Sequence, residues 1–142
     1  MAEDFVLDQR IEDTSVPVAD WPLCQIRLKD DARFHWLLLL PRRAGVVELT
    51  DLDEIDYGQL AAEMRAATRL LQEVAGPDKV NVATLGNVVA QMHVHVIARF
   101  RSDPAWPDPV WCRGAAAPYP PHALAILVDR YAKAAREHFQ AL

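Results

Sequence analysis

The sequence has few cysteines and no excess of basic residues, and each shortage argues against a class of protein. Its two cysteines, Cys24 and Cys112, are far apart and form no C-x-x-C pair. That spacing argues against a disulfide framework and predicts reduced thiols in a cytoplasmic protein. Lys and Arg number 15 against 20 Asp and Glu, which gives a net charge of −5. A surface of this sign is not expected to bind nucleic acid or an anionic membrane.

Long hydrophobic runs are also missing. The longest strongly apolar stretch, FHWLLLL at residues 34–40, is far too short to span a bilayer. The N-terminal MAEDFVLDQR is acidic and has no apolar h-region, so it does not predict a signal peptide. A length of 142 residues, 51% of them apolar, is typical of one soluble domain with a sizeable core. We therefore expect a single domain over residues 1–142.

What the sequence does contain is a set of well-separated secondary-structure patterns. Four segments have the alternating or continuously apolar character of β-strands; they are residues 23–30, 33–41, 79–86 and 89–100. Two longer segments have helical spacing of their apolar residues; they are residues 53–75 and 122–139. A short helix is predicted near residues 5–11, with a loop from there to residue 20.

The order of these elements indicates the fold class. Residues 101–121 hold six of the ten prolines and cannot form a helix or a central strand. Such a long loop in a compact domain is often functional. Neighbouring strands joined by short turns, with segregated helices, favour an α+β fold. We predict an antiparallel sheet of about five strands with a long central helix and a C-terminal helix.

The segment VAQMHVHVIARF, residues 89–100, places three polar side chains at alternate positions: Gln91, His93 and His95. In a strand they would share one face. Two solvated histidines on an exposed face would need no further explanation. A metal site is a second interpretation, since imidazole is a common ligand. However, a third ligand is not evident on the same strand.

A third interpretation uses the wider sequence. LGNVVAQMHVHVIARF resembles the signature of the histidine triad family, in which three histidines alternate with apolar residues, and Gln91 takes the first position. VNVATLGN (80–87) and WLLLLPRR (36–43) are similar to flanking segments of that family. SDPAWPDPVW (102–111) is similar to bacterial members described as diadenosine tetraphosphate hydrolases. The resemblance covers roughly residues 20–100 and implies the same α+β fold.

The resemblance also implies a reaction at the α-phosphate of a nucleotide conjugate, either a dinucleoside polyphosphate or a nucleoside phosphoramidate. His93 would attack phosphorus and form a nucleotidyl-imidazole intermediate, with no metal or other cofactor. Protonated His95 would assist the leaving group. Gln91 cannot titrate, but its amide could orient His93 or contact substrate. A homodimer is expected, as is usual in the family.

Further substrate-binding residues are expected just before the histidines. Glycine lets the backbone approach an anion closely, so Gly86 and Asn87 are expected to hold the phosphate, with Asn81 as a weaker candidate. Trp36 aligns with an upstream histidine of the family and is expected in the core. Trp106 and Trp111 are expected to pack, although either could stack on a base. Two alternatives stay open: a nucleotide-binding protein without turnover, and a metal-binding hydrolase using His93 and His95.

Overall fold

The computed structural model describes residues 4–140 and residue 142. Five strands form the sheet: β1 (Ser15–Asp20), β2 (Cys24–Lys29), β3 (His35–Pro41), β4 (Lys79–Ala83) and β5 (Val94–Arg99). Three α-helices accompany it: α1 (Gln9–Asp13), α2 (Glu54–Ala75) and α3 (Pro121–Phe139). Short 3-10 turns lie at Leu49–Asp51 and Val110–Cys112.

All neighbouring strands are antiparallel, in the order β1-β2-β3-β5-β4. This arrangement confirms the predicted α+β class with an antiparallel sheet, a long central helix and a C-terminal helix. The central helix begins after Asp53, whose side chain accepts a hydrogen bond from the Asp56 N–H. It ends at Gly76, whose φ of 62° places it in the left-handed region that favours glycine.

Two predictions about the first 20 residues are wrong. The short helix covers residues 9–13 rather than 5–11, and the expected loop contains β1. The pattern of β1 is weak because Pro17 interrupts it, yet proline is tolerated on an edge strand, and β1 is an edge of the sheet. The strand is held by Arg27, which donates to the hydroxyl and the carbonyl oxygen of Ser15 at 2.7 and 2.8 Å.

The sheet has two differently covered faces. Helices α2 and α3 pack on one face over the main core, which contains Ile26, Leu37 and Val96. The opposite face is covered by the N-terminal segment and the proline-rich loop, with Trp36 and Ile97 buried beneath them. His95 belongs to this second face because it pairs with Leu38 of β3. In the part of the chain that the structure describes, no helix has the length and apolarity needed to cross a membrane.

The helical face contains one buried carboxylate that the periodicity does not predict. Glu63 on α2 is fully buried, and its side chain accepts hydrogen bonds from the backbone N–H groups of Leu23 and Cys24 at 3.0 and 2.9 Å. These contacts fix the start of β2 against the central helix. Burial and the nearby Glu63 raise the pKa of the Cys24 thiol, so this cysteine is neutral and unreactive.

Candidate active site

A cavity of about 310 Å³ opens on the sheet face away from α2 and α3. The N-terminal segment forms one wall, and the loop before β5 forms another. The polar or aromatic residues lining it include Thr14, Lys29, Asn87, His93, His95 and Trp111. The structure thus brings together four of the six predicted site residues, His93, His95, Gly86 and Asn87.

His93 lies one residue before β5 and is held by the backbone. Its Nδ1 is 2.7 Å from the carbonyl oxygen of Gln91. A carbonyl oxygen only accepts hydrogen bonds, so Nδ1 carries the proton and donates it. In the neutral ring Nε2 is therefore unprotonated and has a free lone pair. This is the tautomer that a nucleophilic imidazole requires.

His95 is held in the opposite tautomer. The indole Nε1 of Trp36 donates to His95 Nδ1 at 2.9 Å. Because an indole N–H can only donate, Nδ1 of His95 is unprotonated and Nε2 carries the hydrogen. Burial, with smaller contributions from His93 and Lys29, lowers the pKa of His95 to about 3. The expectation of a protonated His95 is therefore wrong; this ring is a neutral donor.

The two imidazole rings contact each other within the cavity. Their centroids are 4.9 Å apart and their planes are 69° apart. Trp111 also meets His95 edge-on, with the ring centroids 4.9 Å apart. The site thus combines an unprotonated nitrogen on His93 with an N–H donor on the adjacent His95. One ring can attack an electrophile while its neighbour donates to the same group.

Gln91 precedes β5, which begins at Val94, and its side chain is not in the row predicted for it. Its side chain forms hydrogen bonds with the N-terminal segment instead. The amide oxygen accepts from the Asp8 N–H at 2.8 Å, and the amide nitrogen donates to the Val6 carbonyl at 2.7 Å. The backbone carbonyl of Gln91, rather than its amide, orients His93. The side chain therefore positions a wall of the cavity.

The loop before His93 is suited to an anion. Gly86 has a φ of 71°, a conformation that side-chain-bearing residues rarely adopt. None of the described residues accepts a hydrogen bond from the backbone N–H groups of residues 86–89. Asn87 lines the cavity, and Arg10 donates to the Val88 carbonyl at 3.1 Å, which ties the loop to the N-terminal segment. Free N–H groups near a glycine of positive φ can cradle a phosphate.

Asn81 is placed away from this cavity. Its side-chain oxygen accepts from Arg99 at 2.8 Å. Arg99 also forms a buried ion pair with Asp103, at 2.8 Å, that anchors the proline-rich loop. Burial alone would raise the pKa of Asp103, but Arg99 and three backbone N–H groups lower it to about 2. Asn81 thus supports a structural network, and the expectation that it contacts substrate does not fit its position.

The two tryptophans of the loop have different positions. Trp106 packs over the Arg99 guanidinium, 5.8 Å from the ring centroid. Trp111 remains 39% exposed and lines the cavity. Trp36 is buried in the core, as predicted. Its hydrogen bond to His95 was missed, because that contact depends on the pairing of β3 with β5.

Two basic residues of the cavity were also missed. Lys29, at the end of β2, and Arg10, in α1, both line it. No local sequence pattern predicts that either residue lies at the site, because each is brought there by tertiary structure. His35 lies outside the cavity and forms a 2.6 Å hydrogen bond with the Tyr131 hydroxyl. Among residues 4–140 and 142, no cluster of three His, Cys, Asp or Glu side chains is arranged to hold a metal ion.

Comparisons with known proteins find a family model and solved structures that this chain resembles. The HIT domain model matches residues 10–102. A histidine triad protein from Sinorhizobium meliloti is 40% identical, with a TM-score of 0.88, over 91% of this chain and 96% of that one. One from Bradyrhizobium japonicum is 36% identical, with a TM-score of 0.89, over 96% and 99%. One from Marinobacter aquaeolei is 32% identical, with a TM-score of 0.92, over 95% and 98%.

No protein of curated function matches the sequence significantly. The family assignment rests instead on the domain model and on the three solved structures. The domain match includes all of β5 and the loop that precedes it, and each of the three structures spans more than nine tenths of this chain. The chain belongs to the HIT domain family.

Proposed function

We propose that this protein is a nucleotide hydrolase or transferase that acts at an α-phosphate through a nucleotidyl-His93 intermediate. The observation that carries the proposal is the hydrogen bond from His93 Nδ1 to the Gln91 carbonyl. It fixes the tautomer in which Nε2 carries a free lone pair, on a residue that lines the cavity. Family membership supports the same chemical class.

In the first step the Nε2 lone pair forms a bond to the α-phosphorus. The bond from phosphorus to the leaving group breaks, and its electron pair goes to the leaving atom. His93 keeps its Nδ1 proton and becomes a nucleotidyl-imidazolium, whose positive charge is stabilised by the Gln91 carbonyl 2.7 Å away. The N–H groups of residues 86–89 would hold the phosphoryl oxygens, and His95 would donate from Nε2.

In the second step water attacks phosphorus. The phosphorus–nitrogen bond breaks, its electron pair returns to Nε2, and the proton lost by the water goes to solvent. The neutral ring with its free lone pair is restored. Splitting one displacement into two in this way is nucleophilic catalysis.

The neutral state of His95 bears on the choice of leaving group. A polyphosphate can leave as an anion and needs only a hydrogen bond. An amine must gain a proton as it leaves, and a neutral imidazole is a poor acid. Because Trp36 donates to His95 Nδ1 and burial lowers the pKa of this ring to about 3, we expect His95 to act as a neutral donor, which favours dinucleoside polyphosphates over nucleoside phosphoramidates.

We also propose a homodimer. Two exposed apolar features would suit self-association: Val82 on the edge strand β4, 42% exposed, and Ile55 with Tyr57 at the start of α2, 82% and 52% exposed. Sedimentation equilibrium tests this directly. A monomer at micromolar concentration would contradict the dimer and leave the proposed chemistry unaffected.

The activity test is hydrolysis of diadenosine tetraphosphate and of adenosine phosphoramidate in excess EDTA, with products separated by chromatography. The wild-type protein should cleave the tetraphosphate, and His93→Ala should not. His122→Ala is the matched control, since His122 is exposed at the start of α3, and it should retain full activity.

Other outcomes would replace the proposal. Nucleotide binding without cleavage of either substrate would indicate a binding protein. Activity that EDTA abolishes and added metal restores would indicate a metal-dependent hydrolase. His93→Ala with the wild-type rate would exclude this residue as the nucleophile.

A further inference from the structure

Lys29 lines the cavity and forms no ion pair with the residues that the structure describes. Lys29 ends β2 and lines the cavity on the side towards β1, where it pairs with Ser15. Its ammonium lies 5.3 Å from the centroid of the Trp36 ring. The nearby Asp31 is itself held by Arg33 in a 2.8 Å ion pair.

The other basic residue of the cavity is already engaged. Arg10 pairs with Asp8 at 3.1 Å and donates to the Val88 carbonyl at the same distance. No carboxylate of the described residues lines the cavity. Within the described part of the chain, Lys29 is therefore the cavity-lining Lys or Arg that has no carboxylate partner. Burial lowers the pKa of this amine, and a bound anion would favour its charged form.

Lys29 is separated from the attacking residue. Strand β3 lies between β2 and β5, and neighbouring strands are about 4.8 Å apart, so the Lys29 backbone is about 10 Å from β5. The loop at residues 86–89, which we propose holds the attacked phosphate, follows β4, and β4 lies on the far side of β5. The Lys29 ammonium and the His95 ring both lie against Trp36, at 5.3 and 5.5 Å from its ring centroid. Lys29 therefore enters the cavity on the Trp36 side of His95, whereas residues 86–89 enter it from the side of β4.

We propose that Lys29 binds a second phosphate of the substrate, distinct from the phosphate that His93 attacks. The proposal rests on the proposed nucleotide-processing function and specifies its substrates as nucleotides with at least two phosphates. That second phosphate either belongs to the 5′ polyphosphate chain of the nucleotide or is attached to its ribose. Lys29 is a specificity-determining residue rather than part of the chemical step.

Binding calorimetry with AMP, ADP and adenosine 3′,5′-bisphosphate tests this without requiring turnover. Lys29→Met should bind AMP as the wild-type protein does, within about twofold, and should lose about tenfold in affinity for one two-phosphate nucleotide. A loss for ADP places the second phosphate on the 5′ chain, and a loss for the bisphosphate places it on the ribose. Lys29→Arg should retain most of the affinity.

Lys79→Met is the control for removal of one positive charge, because Lys79 is exposed on β4 outside the cavity. Equal losses for AMP and the two-phosphate nucleotides, or no loss for either of the latter, would overturn the proposal. So would a wild-type protein that binds none of the three. If Lys29→Met loses affinity only for a two-phosphate nucleotide but the wild-type protein hydrolyses neither test substrate, Lys29 still binds a second phosphate and the proposed hydrolysis is wrong.

Discussion

Lowering the pH from 7 to 5 should destabilise the protein through His95. The ring is neutral in the fold, since Trp36 donates to its Nδ1 and burial lowers its pKa to about 3. In the unfolded chain its pKa returns to about 6.5. The unfolded state therefore binds a proton between these values that the folded state does not bind. Stability is greatest above pH 6.5 and falls as the pH drops towards 3.

The size of the effect follows from the two pKa values. At pH 5 the unfolded ring is almost fully protonated and the folded ring almost fully neutral, which lowers the free energy of unfolding by about 2 kcal/mol. At pH 3 the loss reaches about 4 kcal/mol. Because only 6% of His95 is exposed, solvent screening reduces these values little.

Urea denaturation followed by tryptophan fluorescence measures this loss. His95→Gln is the matched variant, since its amide oxygen can accept from Trp36 and does not titrate. The contribution of His35, whose pKa burial also lowers, is common to both proteins. Between pH 7 and 5 the variant should lose about 2 kcal/mol less stability than the wild-type protein. Equal losses would show that His95 is charged in the fold and would refute its assignment as a neutral donor.

Three further variants test the walls of the site. Gln91→Ala should lower the free energy of unfolding by about 1–2 kcal/mol, because two hydrogen bonds to the N-terminal segment are lost. The same variant should raise KM more than it lowers kcat. Unchanged kinetics would contradict the positioning role of Gln91. Trp111→Leu should raise KM several-fold, with far-UV circular dichroism unchanged, if this ring contacts the substrate. Asp103→Asn should lower the free energy of unfolding by about 3–5 kcal/mol in urea titrations, because the substitution leaves Arg99 buried without its counter-charge. A loss below about 1 kcal/mol would show that this ion pair does not stabilise the fold.

The four strands β2 to β5 and the position of the histidines are predictable from local pattern. Alternation predicts that His93 and His95 face the same way, and both line the cavity. The continuous apolar run at residues 34–40 predicts a central strand, which β3 is. These features depend on residues that are adjacent in sequence, so the periodicity of apolar and polar residues is enough to predict them.

Contacts between distant segments are not predictable in this way. The bond from Trp36 to His95 requires β3 to pair with β5 in one register. Lys29 reaches the site only because β2 pairs with β3. Gln91 continues the alternating strand pattern in the sequence, but its amide forms hydrogen bonds with a segment more than 80 residues away in sequence. Each of these assignments depends on contacts between segments that are distant in sequence, and a short stretch of sequence does not show which segments will meet.

The most direct test of the central claim is the capture of the covalent intermediate. The wild-type protein is mixed with diadenosine tetraphosphate, quenched within milliseconds to seconds under conditions that preserve phosphorus–nitrogen bonds, and analysed by intact mass and peptide mapping. The account predicts one nucleotidyl group per chain, on the peptide containing His93 and absent from His93→Ala. Rapid single-turnover hydrolysis with no adduct at any time, or an adduct on another residue, would contradict it.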